Sequence, residues 1–504
     1  MRLVLVIFSF LIFSTFAEAQ HHDAGLATSG VVDLGKIDFP TSGSADAQKH
    51  FIEGVLLLHS FEYARARRAF AEASRIAPGF ALAYWGEAMT HDHRIWGEQD
   101  RTAGMAALAR LAPTAAERRA KAPTEREKMY LDAVEKLYED GTELQVATAY
   151  SNAMAALAKR FPNDLEAQAF YALSILGLTG TVRNTENYMK AAAVAEEIYK
   201  KNPLHPGALH YLIHSYDDPA HASLGLRAAR AYGTVARSAA HAQHMPSHIF
   251  FALGLWEDSI AANTASMKTA RDEGGGGYHP LHWLEHSYLQ LGRTDEAAKL
   301  VAIVEDDLKK KSSASARTHL AVCRATFLVE TNGAGPDSMM EPVDSSGMNA
   351  RSTFANHDLA IGLEFVRRKD LASARQKLDS IRSRIASMKE ARSSNAVASG
   401  YSNVSQGDVD TVSVMENVLA AAIEFASGEK EKSIRGMISA AETEDKLTFE
   451  YGPPAIDKPA CEAAGELLLA AGRKSEAAAA FRKALKRYPN RRLSNDGLRA
   501  ATTK

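Results

Sequence analysis

Ten of the chain's 18 histidines fall in the 82 residues from His205 to His286. Six of them form pairs four residues apart: His210 with His214, His244 with His248, and His282 with His286. Four residues is ~400° of helical rotation, so each pair shares one face of a helix. A neutral imidazole offers one nitrogen lone pair. Several brought together from neighbouring helices can surround an ion at the ~2.0–2.1 Å of a zinc–nitrogen bond. The spacing therefore points to a transition-metal site. Imidazole ligands suit zinc, copper, iron or nickel and do not choose among them. We read His210, His214, His244, His248, His282 and His286 as ligands to a transition metal such as Zn, Cu or Fe. His205, His241, His279, Glu285 and His93 stand as further ligands or hydrogen-bond supports. Six or more nitrogens have the capacity for two ions, which leaves redox or hydrolytic chemistry open.

Other residues carry less. His282 to His286 reads HWLEH, the H-x-x-E-H order of some zinc peptidases with Glu285 in the general-base slot. That chemistry needs another carboxylate ligand, and the two flanking pairs lack a Glu. His221, His319 and His357 read singly as polar or partner contacts. Glu462 and Glu466 read as solvated charge, and Trp85, Trp96, Trp256 and Trp283 as packing. No Ser/His/Asp order, phosphate loop or nucleotide fingerprint stands out, so whether the protein is an enzyme is open.

The elements that must position these histidines are helical. The chain has 504 residues, 46% apolar content and 16 prolines, and no alternating β-branched run long enough for a sheet. A formal charge of −2 gives no field that would draw nucleic acid or anionic lipid. Arg2, the apolar run Leu3 to Phe16 and Ala17-Glu18-Ala19 have the order of a secretory signal. The mature chain is then expected to start at Gln20-His21-His22, whose free amine, amides and imidazole suit Cu(II). A periplasmic or secreted location follows, with no membrane insertion after cleavage. Cys323 and Cys461, the two cysteines, are open to pairing but too far apart in sequence for contact to be inferred.

An internal repeat underlies the helices. Gly54, Ala66, Phe70 and Pro78 are spaced by 12, 4 and 8 residues, and Gly465, Ala477, Phe481 and Pro489 repeat those spacings. With AAGELLLAAGRKSEAAAAFRKALKRYPN as its cleanest copy, the chain resembles the tetratricopeptide-repeat proteins. The resemblance implies an all-α fold, a right-handed α-solenoid of helical hairpins whose first helices line a concave groove. Gly254, Trp256 and Ser259 follow His244 by 10, 12 and 15 residues, as Gly292, Thr294 and Ala297 follow His282. His244 and His282 are therefore equivalent positions, as are His241 and His279. The register 210, 244, 282, 319 predicts the three pairs side by side.

The expected organisation is a signal over 1–19, a flexible start over 20–44 and an N-terminal repeat block over 45–330 with its histidine-rich groove at 205–286. A loop over 331–356, a C-terminal block over 357–490 and a tail over 491–504 follow. YWGEAM, HYLIHSYDDP, HMPSHIFFALGLWEDS and YGPPAIDKPACEAAGELLL resemble segments of exported, histidine-rich bacterial tetratricopeptide-repeat proteins. That resemblance implies fold and export but no activity. Two functions remain: a metal-binding solenoid, or a metal-free scaffold that holds a peptide or protein partner in its groove. Metal content of the purified protein separates them.

Overall fold

The computed structural model describes residues 33–179, 183–348, 350–393, 404–448 and 451–503. The signal segment and the Gln20-His21-His22 start lie outside the described residues. Those residues form an all-α array of helical hairpins, an α-solenoid. Its one departure is a two-residue ribbon pairing Asp92–His93 with Glu98–Gln99.

The repeat signature has a direct physical meaning. Phe70, on the Tyr63–Ile76 helix, wedges between Gly54 of its own hairpin and Gly86 of the next helix. A methyl group added at Gly54 or Gly86 would lie 2.6 or 2.3 Å from the ring. Phe481 repeats this between Gly465 and Gly497, at 2.8 and 2.2 Å. Large rings fill the seam between hairpins only where the facing backbone carries no side chain. In the later repeats Gly254 and Gly292 end their first helices in the left-handed region, at φ 67° and 72°, a conformation that favours glycine.

First and second helices of a hairpin bury differently. Every residue of Pro206–Tyr216 is buried, whereas Lys474–Arg487 buries only Ala477, Ala478, Phe481 and Ala484. First helices therefore sit inside, and second helices present one apolar stripe to them.

The inner side is not an open groove at the level of the histidines. The array curls until distant hairpins touch. His210 Nδ1 reaches the carbonyl of His59, 151 residues earlier, at 2.7 Å. At the other end, Asn490 donates to the carbonyl of Leu253 at 3.0 Å, and Arg492 N–H donates to Gln290 Oε1 at 2.8 Å. The segment Pro454 to Pro459 is laid along the interior, with Asp457 accepting from Thr326 at 3.0 Å and from Asn356 at 2.8 Å. Gly452 at φ 88° lies flat against Trp283, where a methyl group would come within 2.2 Å of the ring.

Several expected boundaries shift. Residues 33–44 are not a loose start, because Phe39 is buried against Phe51, Trp85 and Tyr130. The tail contains a packed helix, Arg492–Thr502. It is pinned by Glu462, which accepts from both Arg491 and Ser494 in the interior instead of lying in solvent. The 331–356 loop holds a short 3-10 turn, Asp337–Met340, and the start of the Arg351–Arg367 helix. Cys323 and Cys461 are both buried and unpaired with each other.

Candidate metal centre

The structure gathers the histidines into trios. The ligand-capable atoms of His210, His214 and His241 lie within 4.8 Å of one another, and so do those of His244, His248 and His279. Each trio takes a four-residue pair from one first helix and a third imidazole from the next. That third residue sits three positions before the register position, at 241 instead of 244 and at 279 instead of 282. Neighbouring first helices pack staggered by about one turn, so a pair meets the residue one turn earlier on its neighbour.

The same stagger leaves His282 and His286 out, against the sequence expectation of three pairs side by side. Their third partner would come from position 316 of the following helix, which is alanine. His282 Nε2 instead lies 3.1 Å from Thr326 Oγ1, and His286 Nε2 accepts from Gln290 at 3.1 Å. Glu285 between them is fully buried beside Cys323, and burial pushes its carboxyl well above the usual range. Burial of the carboxyl thus works against the general-base role that the H-x-x-E-H order suggests.

Three nitrogen–nitrogen separations inside the trios fall in the range that a shared ion would impose. His244 Nε2 lies 3.2 Å from His248 Nε2 and 2.9 Å from His279 Nε2, and His210 Nε2 lies 3.2 Å from His241 Nε2. Two nitrogens bound to one ion at ~2.0–2.1 Å are about 2.9 Å apart at a right angle and about 3.4 Å apart in a tetrahedron. Nε2 of His214 is buried and meets no hydrogen-bond partner.

The opposite edges of the rings fix which nitrogen carries the proton. His210 Nδ1 donates to the His59 carbonyl at 2.7 Å. His244 Nδ1 donates to Asn263 Oδ1 at 2.7 Å, and that amide is oriented by its own NH2 group donating to the Ser259 carbonyl at 3.0 Å. His248 Nδ1 donates to the Asp217 carboxylate at 2.5 Å. These contacts place a proton on each Nδ1, so in the neutral ring each Nε2 turns a lone pair inward. This arrangement of a metal ligand backed by an oxygen acceptor is the usual support of histidine metal sites.

Burial, with help from neighbouring imidazoles, favours the neutral form of four of these rings. It takes His244 down to about 3 and holds His210, His214 and His279 well below the ordinary histidine value. Aromatic side chains close the surroundings. Phe61 lies 4.3 Å from His210 and 5.5 Å from His241, Trp96 lies 5.9 Å from His241, and Trp283 lies 4.5 Å from His248. Phe61 holds φ at 56°, a strained conformation for a bulky residue. His241 and His279 are half-buried and mark the side open to solvent.

A third cluster, His59, Glu166 and His205, is fully buried. His59 Nε2 lies 2.7 Å and His205 Nε2 3.1 Å from the two oxygens of Glu166. His205 Nδ1 accepts from the Ala208 amide at 3.2 Å. Its proton therefore resides on Nε2, and neither nitrogen has a lone pair to spare for a metal. Although burial raises Glu166, the two imidazoles outweigh it and hold the carboxylate at about 2. This cluster is an internal hydrogen-bonded network around one carboxylate that braces Pro206–Tyr216. His93 is likewise occupied: it stacks on Tyr63 at 3.9 Å, with Nε2 3.1 Å from the Thr90 carbonyl and Nδ1 3.3 Å from Glu98.

Sequence reading missed Asp217, Asn263 and the His59 carbonyl as the acceptors behind these imidazoles. Asp217 had a signal, because HSYDDP places it just past His214 at a helix end.

No family model matches the chain, and no curated protein matches it. Among solved structures it is similar to the P58(IPK) TPR domain at 14% identity, covering 91% of this chain and 97% of that one, with a TM-score of 0.24. It is similar to the human IFIT1 dimer with m7Gppp-AAAA at 13% identity, covering 92% of each chain, with a TM-score of 0.34. It is also similar to Ypp1 at 10% identity, covering 90% of this chain and 82% of that one, with a TM-score of 0.36. No described helix is long and apolar enough to cross a membrane.

Proposed function

We propose that this α-solenoid is a transition-metal-binding protein whose ligands are His210, His214 and His241 in one trio and His244, His248 and His279 in the other. One observation carries the reading. The Nε2 atoms of His244 and His248 face each other at 3.2 Å while both Nδ1 atoms donate to oxygen acceptors. With both rings neutral, two lone pairs face each other at that distance, and a cation between them would turn their repulsion into coordination. A bound ion would supply Lewis acidity or, for a redox-active metal, electron transfer.

The chain's own residues do the rest. Asn263, Asp217 and the His59 carbonyl fix the tautomers. The aromatic walls limit water, and the half-buried edge at His241 and His279 gives a path inward. Three imidazoles per ion leave a coordination position for an outside ligand. The apolar run and small-x-small site of residues 3–19 support action outside the cytoplasm.

Isothermal titration of chelator-treated protein with Zn(II) or Cu(II), together with elemental analysis, tests this. Tight binding is expected, and His244→Ala should lose the share held by its own trio while the first trio keeps its ion. Absence of binding at either trio would leave a metal-free scaffold as the better reading.

A further inference from the structure

The two trios lie side by side. His214 of the first lies 6.2 Å from His248 of the second, ring centre to ring centre, and His241 of the first lies 6.3 Å from His244 of the second. Within the trios the corresponding separations run from 4.5 to 5.0 Å. Crossing from one trio to the other thus adds less than 2 Å. The facing rings belong to consecutive repeats, so the same stagger that builds each trio also stacks the trios edge to edge.

We infer that the protein holds two transition-metal ions in one centre, close enough to interact, and that the pair takes a small anionic or oxygen-donor ligand between them. This rests on the metal reading of each trio. Charge supports the ligand class. Six neutral imidazoles cancel none of the charge on two divalent ions, and the carboxylates of Asp217 and Glu62 meet trio residues away from the inward nitrogens, at the Nδ1 edge of His248 and at the backbone amide of His241. No carboxylate joins either trio among the described residues. Charge compensation therefore falls to a ligand from solution, such as hydroxide or another small oxygen or halide donor. Phe61, Trp96 and Trp283 crowd the surroundings, which limits that ligand to a few atoms.

Copper(II) is the probe, read by electron paramagnetic resonance of the full mature chain. Saturation is expected at two ions per chain with a spin signal well below that of two isolated coppers, or with a dipolar half-field line. Adding azide should perturb both ions at once. His279→Ala and His241→Ala, at the half-buried edge, should each retain one copper with a full, uncoupled signal, and circular dichroism checks that both fold. Two full, independent signals in the unsubstituted protein would overturn the pairing while leaving metal binding intact. Saturation at one copper would do the same. No bound copper at all would overturn the metal reading and the pairing with it.

Discussion

Nε2 of His244 stands 3.2 Å from Nε2 of His248, one helical turn away, although Met245 and Pro246 lie between them and the chain passes there from one helical segment, Ala240–His244, to the next, Pro246–Leu253. Pro246 takes the first position of the second segment, where its missing amide hydrogen costs nothing. The backbone of Met245 stays helical, at φ −51° and ψ −37°. The two imidazoles therefore keep the relation of residues on one face despite a proline in the sequence between them.

Metal should stabilise the fold, because the unfolded chain cannot present six converging nitrogens. At free Zn(II) 100-fold above the dissociation constant, a single site adds about 2.7 kcal/mol. Thermal unfolding with and without metal measures it, and a transition insensitive to metal contradicts the site.

Asp217→Asn separates orientation from ligation. The amide can turn its NH2 toward His248 Nδ1, moving the ring proton to Nε2 and removing the inward lone pair. Metal affinity should fall about 10–100-fold, while helicity and the thermal midpoint of the metal-free protein stay near those of the parent. Calorimetric titration decides this. Unchanged affinity would mean that the ring's orientation does not depend on Asp217.

His282→Ala and His286→Ala should leave metal stoichiometry and affinity unchanged, whereas His279→Ala should empty its trio. Elemental analysis of the three variants after identical loading is sufficient. Loss in His282→Ala equal to that in His279→Ala would restore the unstaggered register.

Here the sequence was partly legible. The i, i+4 pairs and the 34- to 38-residue register correctly marked His210, His214, His244 and His248 as neighbours on successive first helices. Sequence spacing carries no information on how far one helix slides along the next. It therefore could not tell that position 279, not 282, completes the second trio, or that position 316 has nothing to offer a third. The Gly–Ala–Phe spacing at both ends was legible because it encodes a local wedge. The inward course of the Pro454 to Pro459 segment was not, because it depends on partners such as Thr326, 131 residues from Asp457.

Gly86→Ala should destabilise the fold by about 1–3 kcal/mol through overpacking, since its methyl group meets Phe70. Gly79→Ala, with open space around the added carbon, is the control and should be neutral or slightly stabilising. Chemical denaturation of both variants checks the seam.

His357, buried beneath the Met339 carbonyl, is taken down to about 4 by its burial. The unfolded chain binds a proton at this residue from about 6.5 downward, whereas the folded chain does not until about 4. Its contribution to stability is whole above pH 6.5 and declines as pH falls through that window, by up to ~1.4 kcal/mol per unit. Denaturation of metal-free protein across that range should show a shallower pH slope in His357→Gln than in the parent. Equal slopes would show that the residue is solvated.

In an open repeat array each unit answers only to its neighbours, ends fray alone, and a missing last repeat goes unnoticed at the first. Inward folding of the C-terminal segments removes that independence. Tyr451 lies 5.1 Å from His248, and the residues after Pro489 grip Leu253, Gln290 and Glu330. A chain still emerging from synthesis, or one nicked near its C-terminus, would hold all six histidines and yet lack the wall that encloses them. On the metal reading proposed above, loading would then report completeness, favouring a molecule whose last hairpin has been made and has docked.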